Sequence, residues 1–339
     1  MDKWYFKAGI ESDIVFSVRV RLARNLADFP FPNKMSDEQK FDVIQKVSDA
    51  ILKSEKGKDY KFVDMDKLTQ VEAFSLVERH LISVNFAKNT KGRALILKED
   101  ESVSIMINEE DHIRIQCLHS GLEFEEASKE AFELEKLLGK TLNYAFDEKF
   151  GYLTECPTNL GTGMRASAML HLPALENIGA LDRLFDSVAK LGIAVRGTFG
   201  EGSKSKNSMY QISNQVTLGV SESDSVENIR LVIKQLVSKE KEARTGLENI
   251  NVENRVCRSL AILKYARLLS SEELYRLLSD VRLGISLNMI NLPIEKVNKL
   301  NLLYGKAGIM SFIENDSADE LERDKKRAQM IRMSLDGSY

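Results

Sequence analysis

The sequence has few cysteines and lacks a long apolar run. Its three cysteines, Cys117, Cys156 and Cys257, lie far apart and form neither a CxxC pair nor a zinc-ligand spacing. We therefore expect no disulfide framework and a reducing compartment. No segment approaches the roughly 18 apolar residues of a membrane span, and the N-terminal MDKWYFK lacks the apolar region of a signal peptide. The sequence predicts a cytoplasmic protein without a membrane partner.

A strong net charge is also absent. Forty-eight Lys and Arg residues stand against 51 Asp and Glu residues, which gives a formal charge of −3. No global field therefore marks a protein that binds nucleic acid directly. With 339 residues, 43% of them hydrophobic, the chain is long enough for two domains at about 150 residues each.

Two-residue periodicity predicts strands along the first part of the chain. In residues 13–22, Val18, Val20 and Leu22 alternate with Ser17, Arg19 and Arg21, as on a half-buried strand. Strands are also predicted over 93–97, 102–107, 113–117, 150–155, 193–199 and 209–218, and helices over 41–51, 122–138, 176–191 and 224–243. This alternation is typical of an α+β fold with an antiparallel β-sheet flanked by helices.

Local signals mark several helix ends. Near residues 245–250 the sequence pattern changes from mixed strands and helices to helices alone. Ser36 and Gln39 have the spacing of a capping box, and Gly139 is placed to end the helix over 122–138. Beyond residue 248 the apolar residues follow helical spacing, and Ser270 and Ser317 stand at further helix starts. We expect domains over residues 1–247 and 248–339, the second all-helical.

The segment CPTNLGTGMRAS, residues 156–167, allows several interpretations. Gly161, Gly163 and Ala166 fit a GxGxxA dinucleotide pattern, but Pro157 and polar residues leave no buried strand before it. No GK[ST] follows, so the segment is not a P-loop. Without further context it predicts a glycine-rich turn before a helix.

Arginines at predicted strand ends indicate a phosphate-binding site. Arg19 and Arg21 lie roughly 7 Å apart on one strand face, and Arg114 and Arg196 flank acidic or glycine-rich turns. The guanidinium fork matches phosphate oxygens. Several such arginines beside separated carboxylates predict a polyphosphate cradle.

Three motifs carry a family resemblance. EEDHxR at 109–114, CPTNLGTG at 156–163 and RGTFGE at 196–201 resemble the phosphagen (guanidino) kinases, whose nucleotide-binding SxRxR pattern matches Ser17–Arg21. The resemblance implies a catalytic domain with a glutamine synthetase-like fold, and ATP with Mg²⁺ as cofactors. It implies no direct protein ligand for the metal.

Two departures from that pattern narrow the resemblance to the bacterial protein arginine kinases. The SxRxR pattern begins at residue 17, without the N-terminal helical domain of creatine and arginine kinases, and a helical region follows the catalytic motifs. Residues 323–328, RDKKRA, fit the RDxxRA motif with which this family binds phosphoarginine.

The resemblance implies a role for individual residues. Glu110, as the catalytic base, and Glu201 are the substrate-facing carboxylates, and Cys156 is the reactive cysteine. The implied nucleotide-binding residues are Ser17, Val18, Arg19, Val20, Arg21, His80, Arg114, Arg165, Ala166, Ser167, Ala168, Met169, Arg196, Gly197, Thr198, Phe199, Gly200 and Glu201. The implied phosphoarginine-binding residues are Arg323, Asp324, Lys325, Lys326, Arg327 and Ala328.

By this resemblance the protein transfers phosphate from ATP to arginine side chains of proteins. The resemblance also implies marking of proteins for a Clp protease, regulation of the heat-shock repressor CtsR, an activator (McsA) and a homodimer. Two alternatives stay open: a kinase for a small free guanidine such as arginine, and a non-catalytic adaptor that binds phosphoarginine.

Overall fold

The computed structural model describes residues 2–197, 207–247, 249–313 and 318–336. The strands are β1 (Val15–Arg24), β2 (Tyr60–Asp64), β3 (Ala94–Lys98), β4 (Val103–Ile107), β5 (Ile113–Ser120), β6 (Phe146–Asp147), β7 (Gly151–Tyr152), β8 (Met164–His171), β9 (Ile193–Gly197) and β10 (Met209–Asn214). The helices are α1 (Asp37–Leu52), α2 (Gln70–Glu78), α3 (Val84–Lys88), α4 (Phe124–Leu138), α5 (Pro173–Asn177), α6 (Leu181–Ala189), α7 (Glu222–Arg244), α8 (Ile250–Tyr265), α9 (Ser271–Ser286), α10 (Ile294–Leu303), α11 (Lys306–Ser311) and α12 (Glu320–Asp336).

Eight strands form one antiparallel sheet in the order β2-β3-β4-β5-β1-β8-β10-β9, and β6 with β7 forms a separate hairpin. Every pairing in the large sheet is antiparallel. The predicted α+β fold with a helical C-terminal region is confirmed. No helix in the described ranges is long and apolar enough to cross a membrane.

The two faces of the sheet have different environments. On the first face, Val18, Val20 and Leu22 of β1 are fully buried against α1, α4, α6 and α7. The opposite face is covered in part by α2, α3 and the N-terminal turn, in a second core around Phe86 and Leu118. The remainder of this second face is lined by arginines. Side-chain alternation along each strand separates the apolar core from this polar surface.

Local sequence signals explain several boundaries. Ser36 caps α1, and the reciprocal bond from Gln39 completes the predicted capping box. Ser270 caps α9 through the backbone N–H of Glu273. Gly139 ends α4 as predicted, but with φ of −65° it has right-handed rather than left-handed backbone. The predicted cap at Ser317 lies outside the described residues.

The structure corrects the prediction around residue 164. The glycine-rich segment leads into strand β8 in the middle of the sheet, not into a helix. Met164, Ala166, Ala168 and Leu170 alternate with polar or partly exposed residues and join the first core. The small side chains fit a strand packed under helices, and pairing with β1 and β10 overrides the local glycine signal.

The helices after residue 249 build their own core. Buried residues of α8 to α12, including Leu277, Val281 and Ile331, pack together away from the sheet. This region contacts the remainder of the chain through apolar packing, as of Leu302 in the second core, and through a buried polar network. Arg282 of α9 donates to the carbonyl of Asp13 at 3.2 Å, and Ser279 is 2.8 Å from His171 of β8.

Candidate active site

Five arginines from four strands lie on the open part of the second sheet face. Strand β1 carries Arg19 and Arg21, and β5, β8 and β9 carry Arg114, Arg165 and Arg196. In the register of β1 with β8, Arg21 lies directly opposite Arg165, and Arg19 opposite Ser167. We call these five residues the arginine face.

The arginine face concentrates positive charge. Burial, and then the charges of Arg114 and Arg165, lower the pKa of Arg19 to about 10. Burial and neighbouring arginines also lower the pKa of Arg21 well below its usual value. For Arg165, burial is the main cause of a lowered pKa, and Arg196 adds to it. Like charges held close together favour binding of a polyanion.

Hydrogen-bond donors that have no partner among the described residues indicate that a ligand on this face supplies acceptor atoms. Nη2 of Arg19 donates to Gln211 at 3.0 Å. The Nε atoms of Arg21 and Arg165 are buried and have no hydrogen-bond partner within the described part of the chain. Buried donors of this kind are costly unless a ligand satisfies them. Phosphate oxygens are suitable acceptors, so these residues fit ATP.

The turn between β4 and β5 is fixed by its last two residues. Asp111 accepts a hydrogen bond from Asn25 at 2.6 Å and another from the backbone of Glu155 at 2.9 Å. Nδ1 of His112 accepts from the N–H of Leu26 at 3.0 Å, while Nε2 lies 2.8 Å from the carbonyl of Pro30. Both side chains are buried. They therefore hold the turn in place rather than serving as catalytic groups.

The two glutamates of this turn have different environments. Glu109 is buried, forms an ion pair with Arg114, and accepts from Ser83 at 2.5 Å. Glu110 lies 3.8 Å from Arg114, and its side chain is 40% exposed. Partial burial raises the pKa of Glu110, although Arg114 opposes that rise. Glu110 is thus the carboxylate that a substrate can reach.

The loop of Cys156 is anchored from the strand β10 side. Thr217 donates to the carbonyl of Leu160 at 2.8 Å and accepts from the backbone N–H of Thr162 through its own carbonyl at 2.9 Å. Gly163 has φ of +58°, and a Cβ there would meet the carbonyl of Ala23 at 2.6 Å. The glycine is needed because the loop passes directly over the end of β1.

Cys156 and Glu110 lie beside each other. A hydrogen bond from Cys156 acts to lower the pKa of Glu110, against the raising effect of burial. Cys156 is also close enough to Arg165 to act on the pKa of that arginine, which it raises against the larger lowering by burial. The Sγ of Cys156 is also 3.0 Å from the hydroxyl of Thr158. The thiol therefore lies near both the Glu110 carboxylate and Arg165 of the arginine face.

His80 borders the arginine face from the end of α2. Burial, and then the charge of Arg19, lower the pKa of His80 to about 4, so its imidazole is neutral at neutral pH. Its backbone has φ of +62°, which is uncommon for a residue with a side chain. His80 thus lies near Arg19, and its contact with the nucleotide stays a prediction.

Several predicted nucleotide-binding residues are not brought to this face. Val18, Val20, Ala166 and Ala168 point into the first core and are buried there. Ser17, Ser167 and Met169 share the side of the arginine face. Gly197, at the end of β9, lies opposite Tyr210 on the side of the first core. The predicted residues Thr198, Phe199, Gly200 and Glu201 lie outside the described residues.

The predicted phosphoarginine motif divides into an outer and a buried part. Arg327 is buried and donates to the carbonyls of Tyr304 and Leu269, each at 2.8 Å, and to Asp324 at 2.5 Å. Ala328 is also buried. The more exposed residues are Arg323, Asp324, Lys325 and Lys326. Ligand binding by this motif stays a prediction.

Sequence reasoning missed residues that hold the site residues in position. Glu109 holds Arg114, and Gln211 holds Arg19. Asn214 accepts from the N–H of Ala166 at 2.8 Å and steadies the start of β8. The string QISNQVTLG at 211–219 contains Gln211 and Asn214 together with Thr217, so its polar residues were the available signal.

Comparison with known proteins identifies the family. Residues 42–243 match the sequence model of the ATP:guanido phosphotransferase C-terminal catalytic domain, and residues 249–338 match that of the protein-arginine kinase McsB C-terminal domain. The chain is 44% identical to the "Protein-arginine kinase" of Caldanaerobacter subterraneus subsp. tengcongensis, over 96% of this chain and 98% of that protein. It is 41% identical to the protein of the same name from Clostridium acetobutylicum, over 99% and 100%.

Solved structures show the same fold. A duplicated taurocyamine kinase from Schistosoma mansoni, with bound components of a transition state analog, superposes with a TM-score of 0.62 at 26% identity. That match covers 71% of this chain, but the chain spans only 36% of the length of the duplicated enzyme. A lombricine kinase matches with a TM-score of 0.59 at 22% identity, over 72% of this chain and 73% of that one.

Both regions of the chain thus match the two parts of one family, and relatives in that family align over nearly its whole length. The chain belongs to the protein-arginine kinase family of ATP-using guanidino phosphotransferases and is a phosphotransferase.

Proposed function

We propose that this protein transfers the γ-phosphoryl group of ATP to the guanidinium of arginine side chains in proteins. The observation that carries the proposal is the convergence of Glu110 and Cys156 with the arginine face on one open part of the sheet. The relatives at 41–44% identity, which are named protein-arginine kinases, support the choice of substrate.

The arginine face would clamp the phosphates of ATP. Arg21 and Arg165 supply buried Nε donors in addition to charge. Fixed cations stabilise the charge that develops on the transferred group, because they need no reorganisation during the reaction. His80, as a neutral imidazole, would contact the nucleotide without adding charge.

Glu110 would orient the substrate guanidinium and accept its proton. A guanidinium has a pKa above about 12, so a neutral nitrogen nucleophile is scarce at neutral pH. As the N–P bond forms, the bond from phosphorus to the departing ADP oxygen breaks, and a proton leaves the nitrogen for Glu110. The raised pKa of Glu110 makes it a better proton acceptor than an ordinary glutamate. Glu201 is proposed as the second carboxylate.

Cys156 is proposed to hold the substrate guanidinium electrostatically as a thiolate. It lies beside Glu110 and within the field of Arg165. A cationic neighbour favours the thiolate form of a cysteine. The substrate guanidinium, bound between Glu110 and Cys156, would add to that effect.

We also propose Mg²⁺ as the metal that accompanies ATP. No group of three or more His, Cys, Asp or Glu side chains in the described ranges is arranged to hold a metal. Mg²⁺ is commonly held by substrate phosphates and water with few protein ligands. It would neutralise phosphate charge, and the arginine face would orient the same phosphates.

The proposal assigns different roles to two domains of the chain. Residues 1–247 would form the catalytic domain and residues 248–339 a helical domain that binds phosphoarginine and forms a homodimer. The separate core of α8 to α12 and the two family matches support this division. Cytoplasmic location, a Clp protease, a CtsR-type repressor and an activator of the McsA type are proposed from the family alone.

A small free guanidine is the alternative substrate. The related structures named for taurocyamine and lombricine favour that possibility. The 40% exposure of the Glu110 side chain favours a protein, since an arginine still attached to its backbone needs an open site.

Phosphorus NMR with Mg-ATP distinguishes the two substrates. We expect a phosphoramidate signal on a denatured acceptor protein and none with free arginine. Signal with free arginine alone would overturn the proposal in favour of a metabolite kinase. The Glu110→Ala variant serves as the negative control, because it retains the arginine face but lacks the base.

A further inference from the structure

Glu78, in the last turn of α2, makes a contact that the proposed chemistry does not use. Its Oε1 accepts a hydrogen bond from the N–H of Ala307 at 2.8 Å, and its Oε2 accepts from the N–H of Gly308 at 2.7 Å. Both donors belong to the first turn of α11, in the helical C-terminal region. One carboxylate thus binds two backbone groups across more than two hundred residues of sequence.

The path of the chain around Glu78 depends on this contact. A Cβ at Gly305 would lie 2.5 Å from the Glu78 carboxylate, and a Cβ at Gly308 would overlap the carbonyl of Leu303. Glycine at 305 therefore lets the backbone approach the carboxylate, and glycine at 308 lets the first turn of α11 pass close to the end of α10. The carbonyl of Tyr304, directly before this turn, accepts from Arg327 at 2.8 Å. The start of α11 is thus held from two sides.

His80 follows Glu78 by two residues and lies at the end of α2 that borders the arginine face. The N–H of His80 donates to Val77, and the N–H of Leu81 donates to Leu76 at 2.9 Å, so α2 ends in a Schellman turn. His80 occupies the left-handed position that glycine usually takes. A residue with a Cβ is disfavoured there relative to glycine. Strain of this kind persists where the surroundings fix the backbone.

The backbone between Glu78 and His80 is short, and its residues are held by contacts with the sheet. Arg79, the residue between Glu78 and His80, forms an ion pair with the buried Glu101. The carbonyl of His80 accepts from Gln116 of β5 at 2.8 Å. The end of α2 is therefore held by the sheet and by α11 together, and a displacement of α2 at the α11 contact would move His80 relative to Arg19 of the arginine face.

We propose that Glu78 is a positioning residue for ATP: by binding the first turn of α11, it fixes the end of α2 and thereby sets His80 against the arginine face. The helical C-terminal region thus contributes to nucleotide affinity without contacting the nucleotide. This inference rests on the proposed ATP site and adds a residue to it.

The test compares ATP dissociation constants, measured by titration calorimetry on the full chain, for Glu78→Ala and Glu78→Gln. Loss of both hydrogen bonds is expected to raise the dissociation constant of Glu78→Ala about tenfold or more. Glu78→Gln keeps the side-chain volume and one acceptor oxygen, so an increase of about fivefold is expected. The KM for ATP should rise with the dissociation constant, while kcat changes much less.

Ser279→Ala is the matched control. It removes the 2.8 Å contact between α9 and His171, which also joins the C-terminal helices to the sheet but does not involve α2. We expect a lower melting temperature and unchanged ATP affinity. Equal weakening by Ser279→Ala would show a general loss of packing and overturn the role of Glu78.

Arg19→Ala separates the two proposals. If Arg19→Ala weakens ATP binding and folded Glu78→Gln does not, the positioning role is wrong and the ATP site stands. If Arg19→Ala leaves the ATP affinity unchanged, the site itself is misassigned, and the positioning role fails with it.

Discussion

The carboxylate of Glu109 forms an ion pair with the guanidinium of Arg114 across the turn between β4 and β5. Because Arg114 is held by this buried partner, it remains 3.8 Å from Glu110, the neighbouring carboxylate. Arg114 therefore pairs closely with Glu109 and only at a longer distance with Glu110. The ion pair distinguishes the buried Glu109 from the more exposed Glu110, which is proposed to face the substrate.

Replacement of Glu110 by glutamine should abolish most of the phosphoryl transfer while ATP still binds. A positioned general base contributes about a hundredfold to ten-thousandfold in rate, and the amide cannot accept the proton. Single-turnover rates and ATP titrations measure the two effects. Glu126→Gln on the exposed face of α4 is the control and should behave as the parent protein. A Glu110→Gln rate within twofold of the parent would remove Glu110 from the role of base.

The acid limb of the pH profile should report Glu110. Burial raises its pKa, so the rate should fall as the pH drops through a value above the usual range of glutamate. Glu109 contributes to that rise. Glu109→Gln should therefore move the limb of kcat/KM to lower pH, both by removing this negative charge and by freeing Arg114 to approach Glu110. A limb that stays in place in Glu109→Gln would contradict the assignment.

Removal of a buried donor on the arginine face should weaken ATP binding. Arg21→Ala and Arg165→Ala each lose a charged group with an unused Nε, and we expect dissociation constants about ten to a hundred times higher. Arg230→Ala removes a surface arginine that pairs with Glu227 on α7, and should leave the affinity unchanged. Equal affinities in all three variants would place the nucleotide elsewhere.

The two arginines of the C-terminal motif should behave differently. Arg327→Ala removes a buried guanidinium with three acceptors and should lower the free energy of unfolding by about 2–4 kcal/mol. Arg323→Ala removes a partly exposed one and should reduce phosphoarginine binding with little change in stability. Thermal unfolding and titration with free phosphoarginine check the pair. Full phosphoarginine affinity in Arg323→Ala would return that residue to ordinary surface charge.

Local sequence patterns predicted most of the helices and strands in which one face is apolar and the other polar. The alternation of Val18, Val20 and Leu22 predicted β1, and the Ser36–Gln39 spacing predicted the start of α1. Strand β8 was missed, since Gly161 and Gly163 dominate the local signal although alternation continues beyond them. Strand β2 was also missed, because only its pairing with β3 fixes Tyr60–Asp64 as a strand.

The sequence by itself determined the family of this protein: motifs with Glu110, Cys156 and the arginines resemble those of the guanidino phosphotransferases, and arginine side chains suit phosphate oxygens. The tertiary structure decided which of them face one another. Strand register placed Arg21 opposite Arg165 and turned Val18 and Ala166 into the core. It also buried Arg327 and paired Glu109 with Arg114. Those outcomes depend on distances between segments far apart in sequence, and local propensity contains no information about such distances.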